Sequence, residues 1–171
     1  CIRDRCTNYL HDNSGLSLYD RITDSLGIAR GTRDDNAIAL IKLAASMKYT
    51  SMGSIVIRSG DEMGYSSSQS SAINWNNLIT YSDLHAYYCN LIQLRKTISK
   101  LTSGSTSSYS DFVFDTTSTD QIAYVINNDG NNQWNKIAVM HNNSDSNRLH
   151  NTYTLLCMRR NPDTCQKARY V

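Results

Sequence analysis

Apolar positions in this chain recur at helical spacing twice before residue 101 and at a spacing of two after residue 110. Residues 1–15 are polar and irregular. Leu16, Leu18, Tyr19 and Ile22 then mark either a short strand or the start of a helix. The clearest helix follows, with Asp34 or Asp35 able to cap it. Ile38, Ile41, Ala44, Ala45 and Lys48 share one of its faces, and Gly53 is expected to end it. "SIVIR", Ser54 to Arg58, is β-branched and short and reads as a buried strand. Residues 59–72 read as a loop containing "SSSQSS". A second helix is expected from about Ser82 to Leu101. Its stripe is Leu84, Tyr87, Tyr88, Leu91, Ile92, Leu94, Arg95 and Ile98.

"TSGSTSSYS", residues 102–110, has linker composition. Beyond it "DFVF", "QIAYVIN", "KIAVMHN" and "YTLLCM" alternate as strands do, and "NDGNNQ" between the second and third is a hairpin signal. The pattern predicts an α+β fold. A helical segment with one or two short buried strands (1–101) is joined by the linker (102–110) to a small antiparallel sheet (111–171).

Composition narrows the functional classes. The 171 residues carry 17 Lys and Arg against 15 Asp and Glu, a net charge of +2, which gives no electrostatic case for nucleic acid or an anionic membrane as partner. The basic tail, Arg159, Arg160, Lys167 and Arg169, reads as a solvated end. No run of about 18 apolar residues predicts a membrane-spanning helix. Because the chain begins at Cys1, a processed or excised product is expected. Cys1 with Cys6, and Cys157 with Cys165, are close enough in sequence to pair locally, which would leave Cys89 over. Asn142-Asn143-Ser144 is a glycosylation sequon. Together with the polar surface, these features lean toward a secreted protein.

The chemistry-bearing patterns are sparse. The cysteines and the histidines, His11, His85, His141 and His150, lack zinc-ligand spacing, so no metal and no cofactor is expected. No G-x-S-x-G and no phosphate loop occurs. Trp75 and Trp134 can stack on sugar rings or fill a core. "SGDEMGY", Ser59 to Tyr65, places Asp61 and Glu62 between two glycines, immediately after the predicted strand. That is either the lip of a site or a capping turn with local hydrogen bonds.

Five segments, in order and with similar spacing, resemble the α-amylase superfamily of glycoside hydrolases, specifically the C-terminal portion of its pullulanase branch. "NYLHDNSGLSLYDRI" resembles the seventh-strand segment that carries a His-Asp-Asn motif. "ALIKLAASMKYTSMGSIVIRSGDEMGY" resembles the next helix, the eighth strand and its acidic turn. "SAINW" resembles the motif in the following loop. "YSDLHAYYCNLIQLRKT" resembles the last barrel helix, and "QIAYVINNDGNNQWNKIAVMHNNSD" the C-terminal β-sandwich. The resemblance implies the last βα units of a (β/α)8 barrel plus part of a β-sandwich.

The resemblance also implies roles. His11, Asp61, Glu62 and Trp75 would border a carbohydrate cleft. The literal triplet His11-Asp12-Asn13 would make Asp12 a catalytic carboxylate. A gapless alignment instead puts Asn13, Ser14 and Gly15 on the motif, and Ser14 cannot carry charge. Retaining hydrolysis needs two carboxyl groups about 5 Å apart. In the resembled family these come from strands four and five, for which this chain has no counterpart.

The expectation is therefore a pullulanase-like fragment or remnant, not catalytic alone. It would bind α-glucan or complete a hydrolase with a second protein chain. The alternative is a secreted, disulfide-containing binding or toxin-like module unrelated to starch. Two barrel strands cannot close a barrel, and their edges would be unpaired.

Overall fold

The computed structural model describes residues 7–10, 15–68, 72–102, 112–117, 121–127, 136–143, 153–161, 164–165 and 169–170. The fold is α+β. A helical layer with one parallel strand pair comes first, and an antiparallel sheet follows.

Leu18–Ser25 form α1, which resolves the strand-or-helix alternative for that stretch in favour of helix. Ser17 caps it by accepting from the Asp20 amide at 3.0 Å. Asp35–Thr50 form α2, and Asp34 is the cap, accepting from the Ala37 amide at 2.9 Å. The helix stops at Thr50, three residues before Gly53, because Ser51 turns extended at φ −79 and ψ 149.

Thr7–Asn8 (β1) and Ser54–Ile55 (β2) pair in parallel, Thr7 against Ser54 and Asn8 against Ile55. "SIVIR" is thus a shorter strand than its composition implies. It is also less buried, since Val56 and Ile57 are exposed. A 3-10 turn, Asp61–Met63, follows. Asn77–Thr80 form α3, Ser82–Thr97 form α4 and Ser99–Thr102 form α5. The second long helix therefore breaks at Ile98, whose ψ of 94 interrupts the ladder.

The antiparallel sheet runs β3 (Phe112–Thr117), β4 (Gln121–Asn127), β5 (Lys136–Asn142), β6 (Tyr153–Asn161) and β7 (Thr164–Cys165). A further strand, β8 (Arg169–Tyr170), also pairs with β6. All four predicted strands are present. In β4 and β5 the period of two separates faces as expected. Tyr124, Ile126, Ile137, Val139 and His141 are buried, while Lys136 and Met140 are exposed.

Among the described residues two apolar clusters result. Leu18, Tyr19, Ile38, Ile41, Leu84 and Leu91 belong to the first, between α1, α2 and α4. Ile98 and Leu101 meet Tyr124, Ile126, Ile137 and Val139 in the second, where α4 and α5 meet the sheet. Arg95, in the apolar stripe of α4, is buried between them. Its guanidinium donates to the carbonyls of Tyr49 at 2.7 Å, Ser51 at 2.8 Å, Leu101 at 2.7 Å and Gly53. It thereby covers carbonyls that the end of α2 leaves without intrahelical donors.

Candidate functional site

The strands β1 and β2 run in parallel, so the chain leaves both at the same end. From β1 it passes through Tyr9 and Leu10, which is 63% exposed at Tyr9. From β2 it passes through Val56, whose amide donates to the Asn8 carbonyl at 2.9 Å, to Arg58 and the 3-10 turn. Parallel sheets carry their sites at this carboxyl-terminal end, because the loops that follow the strands converge there.

The turn is rigid by construction. Gly60 and Gly64 flank it, with φ of 95 and 60. A Cβ on Gly60 would lie 2.6 Å from the Tyr65 Cβ, and one on Gly64 2.8 Å from the Tyr81 ring. Both carboxylates between the glycines are tied to the turn's own backbone. Asp61, 4% exposed, accepts from the Arg58 amide at 3.3 Å. Glu62, half-buried, accepts from the Gly60 amide at 3.2 Å. Adjacent on one turn, the two are not the opposed pair that glycoside hydrolysis needs.

Residues 11–14 lie outside the described residues, and with them His11, Asp12 and Ser14. Their flank is anchored next to the turn. The Arg58 guanidinium donates to the carbonyls of Leu16 at 2.9 Å and Gly15 at 3.3 Å. Sequence reasoning passed over Arg58 as the end of a strand. It also passed over Asp20, which is fully buried at the start of α1. One Asp20 oxygen accepts from the Ser66 hydroxyl at 2.5 Å. The other accepts from the Ser67 amide at 2.8 Å and the Ser67 hydroxyl at 2.5 Å. Burial raises the Asp20 carboxyl, but the donors on Ser66 and Ser67 outweigh it and hold it below its ordinary value of 3.8. The serine-rich loop is thus folded onto α1 by one carboxylate.

Trp75 is 67% exposed in the turn before α3, between exposed Asn74 and Asn76. Its indole is presented to solvent and is not core. Ile79, one helical turn on, is also exposed. A cavity of about 340 Å³ lies between residues 7–10 and α2, with Ala44, Met47, Lys48 and Ser51 on its α2 side. The Lys48 ammonium donates to the Val56 carbonyl at 3.2 Å, and burial lowers its pKa.

Among the other predicted positions, Cys1 and Cys6 lie outside the described residues. Cys157 stands in β6 across from Ala138, and Cys165 stands in β7 across from Arg159. Cys89 is a free, exposed thiol on α4, 3.9 Å from Nδ1 of His85. Asn142 ends β5, half-buried between Gln121 and Tyr153, and Ser144 of its sequon lies outside the described residues. Among the described residues no group of three His, Cys, Asp or Glu side chains is placed to hold a metal, and no helix is long and apolar enough to cross a membrane.

Comparison with family models and with characterised sequences finds no match. Comparison with solved structures does. Type I pullulanase from Bacillus subtilis, complexed with maltose, superposes with a TM-score of 0.70 at 22% identity, covering 96% of this chain and 25% of that one. Pullulanase from Anoxybacillus sp. LM18-11, complexed with maltotriose, gives 0.71 at 18%, covering 83% and 22%. Pullulanase from Bacillus acidopullulyticus gives 0.68 at 20%, covering 90% and 19%. The chain therefore spans a quarter or less of the length of the structures it matches. Over most of its own length it shares the fold of part of a pullulanase.

Proposed function

We propose that this chain is the closing part of a pullulanase-like α-glucan hydrolase. It would supply the last βα units of the barrel and the first strands of a C-terminal β domain, with residues 1–101 and 111–171 as the two parts. It is not catalytic alone. The general acid and the nucleophile would come from another stretch of polypeptide that closes the barrel. The carboxyl end of the parallel pair, with the 3-10 turn and Trp75, would then form one wall of an α-glucan cleft.

The observation that carries this reading is the parallel pair itself. Parallel strands are stable when buried in a larger sheet covered on both faces. Among the described residues β1 and β2 form a two-stranded sheet. Tyr9, Val56 and Ile57 stand exposed beside it. Such a pair fits a longer sheet that continues beyond both of its edges. The likeness to pullulanases supports the same reading, since strands seven and eight of a closed barrel would sit between strands six and one.

Incubation of the isolated chain with pullulan tests the proposal. No reducing ends should be released. Mixing with a polypeptide that carries the remaining βα units and both carboxylates should restore release. Hydrolysis by the purified chain at an enzyme-like rate would overturn it.

A further inference from the structure

We propose that His85 and Cys89 form a two-donor chelate for a borderline-soft divalent cation, of which zinc is the fitting example, on the solvent-facing side of α4. The inference is independent of any role in α-glucan chemistry.

The two residues stand four apart in α4, so the helix sets one side chain above the other. Leu84, Tyr88 and Leu91 bury a different face of the same helix in the first apolar cluster. That packing fixes the backbone between the two donors while leaving Cys89 exposed and His85 half-buried. Donors carried on a packed helix hold their spacing better than donors on a loop.

The spacing fits a metal. Sγ of Cys89 lies 3.9 Å from Nδ1 of His85 and 4.0 Å from its Nε2. Zinc bonds of about 2.3 Å to sulfur and about 2.0–2.1 Å to nitrogen, set at the tetrahedral angle, hold their donors about 3.6 Å apart. The pair stands about 0.3 Å from that span. Rotation about χ2 of the imidazole, a soft torsion, aims either nitrogen at the shared position. Because one helix carries both donors, the second bond forms intramolecularly, at the high effective concentration of a linked group.

The donor types select the cation. A thiolate and an imidazole suit zinc and its neighbours, whereas calcium and magnesium take oxygen ligands. Binding exchanges a proton for the metal at sulfur. The thiol gives its proton to solvent, and the thiolate and the neutral imidazole each donate a lone pair. Among the described residues no third His, Cys, Asp or Glu joins them. Two tetrahedral positions are therefore left to solvent, and His-x-x-x-Cys is half of a closed structural site, not a whole one.

The test is alkylation of the reduced 171-residue chain by iodoacetamide, with and without zinc chloride, read cysteine by cysteine by peptide mass mapping. Zinc should slow modification of Cys89 by about tenfold or more, and His85→Gln, whose amide does not replace the imidazole donor, should abolish most of that protection. In the wild type the ring nitrogens of His85, followed by NMR, should shift on addition of zinc, and Cys89→Ser should suppress the shift. Unchanged alkylation of Cys89 in zinc would overturn the proposal. So would equal protection in His85→Gln, which would show a thiolate that binds alone. Both residues lie outside the apolar clusters, so the substitutions leave the packing of α4 in place. Should His85→Gln not fold, the ring is assigned through-bond in the wild type, and a His85 ring that does not respond to zinc overturns the proposal by itself.

Discussion

The guanidinium of Arg95 donates to the carbonyl of Tyr49 at 2.7 Å, across 46 positions of the chain. This bond joins the two long helices. The same side chain also reaches Ser51, Gly53 and Leu101, so one buried cation gathers the end of α2, the approach to β2 and the end of α5. Carbonyl dipoles here offset the desolvation of a guanidinium that burial would otherwise disfavour.

Arg95→Leu keeps the apolar stripe of α4 but removes every donor. The expected loss is about 2–5 kcal/mol, because buried carbonyls lose a charged donor and an unsatisfied buried acceptor costs about 1–3 kcal/mol. Urea unfolding of the variant would show it as a fall in midpoint at unchanged slope. A loss below about 1 kcal/mol would mean that the carbonyls find other donors.

The two glycines of the acidic turn should differ from a glycine elsewhere. Gly27 has φ of 70 but open space around its missing Cβ, so Gly27→Ala carries the backbone cost alone, about 1–2 kcal/mol. Gly64→Ala adds a 2.8 Å approach to the Tyr81 ring. It should cost about 1–3 kcal/mol more, with Tyr81 displaced from its edge-to-face contact with Tyr19. Thermal unfolding of the pair, measured side by side, checks the difference. Equal losses would show that the ring moves freely.

Much of this fold is legible in the sequence because its periods are local. The cap of α2, the stripe of α4 and the alternation in β4 and β5 depend on residues within a few positions of each other. What was not legible depends on distance. Nothing near Arg95 says that a charged residue in an apolar stripe will find four carbonyls. Nothing near Asp20 announces Ser66 and Ser67, although an acidic residue inside a run of buried positions is itself a signal that donors must come from elsewhere. The exposure of Val56 and Ile57 escaped the reading for a related reason. β-branched composition marks a strand built for burial, and burial there depends on neighbours beyond β1 and β2.

Two buried tyrosines on the helical side and the sheet side should respond in opposite ways to loss of the hydroxyl. Tyr88 is 2% exposed, and its hydroxyl has no hydrogen-bond partner among the described residues. Tyr88→Phe should leave stability unchanged or raise it by up to about 1 kcal/mol, because a desolvated hydroxyl is removed. Tyr124→Phe removes the hydrogen bond between the Tyr124 and Thr50 hydroxyls and should cost about 1–2 kcal/mol. Denaturation of both variants gives the comparison. A loss in Tyr88→Phe equal to that in Tyr124→Phe would contradict the assignment.

Asp20 gives a prediction with a pH signature. Its carboxyl is held below the ordinary value, so it contributes stability above about pH 4 that is lost as the pH falls through its folded pKa. Asp20→Asn leaves the shape in place but sets an amide NH2 against groups that donate, the Ser67 amide among them. At pH 6 the variant should be less stable by about 1–3 kcal/mol. Below its folded pKa the wild-type carboxyl is itself protonated and resembles the amide, so the gap between the two proteins should narrow as the pH falls. Urea midpoints taken from pH 6 downward measure the gap. If it stays constant across the acid range in which the wild type loses stability, the serine donors are not what holds the carboxylate ionised. The serine-rich loop would then owe its position on α1 to some other contact.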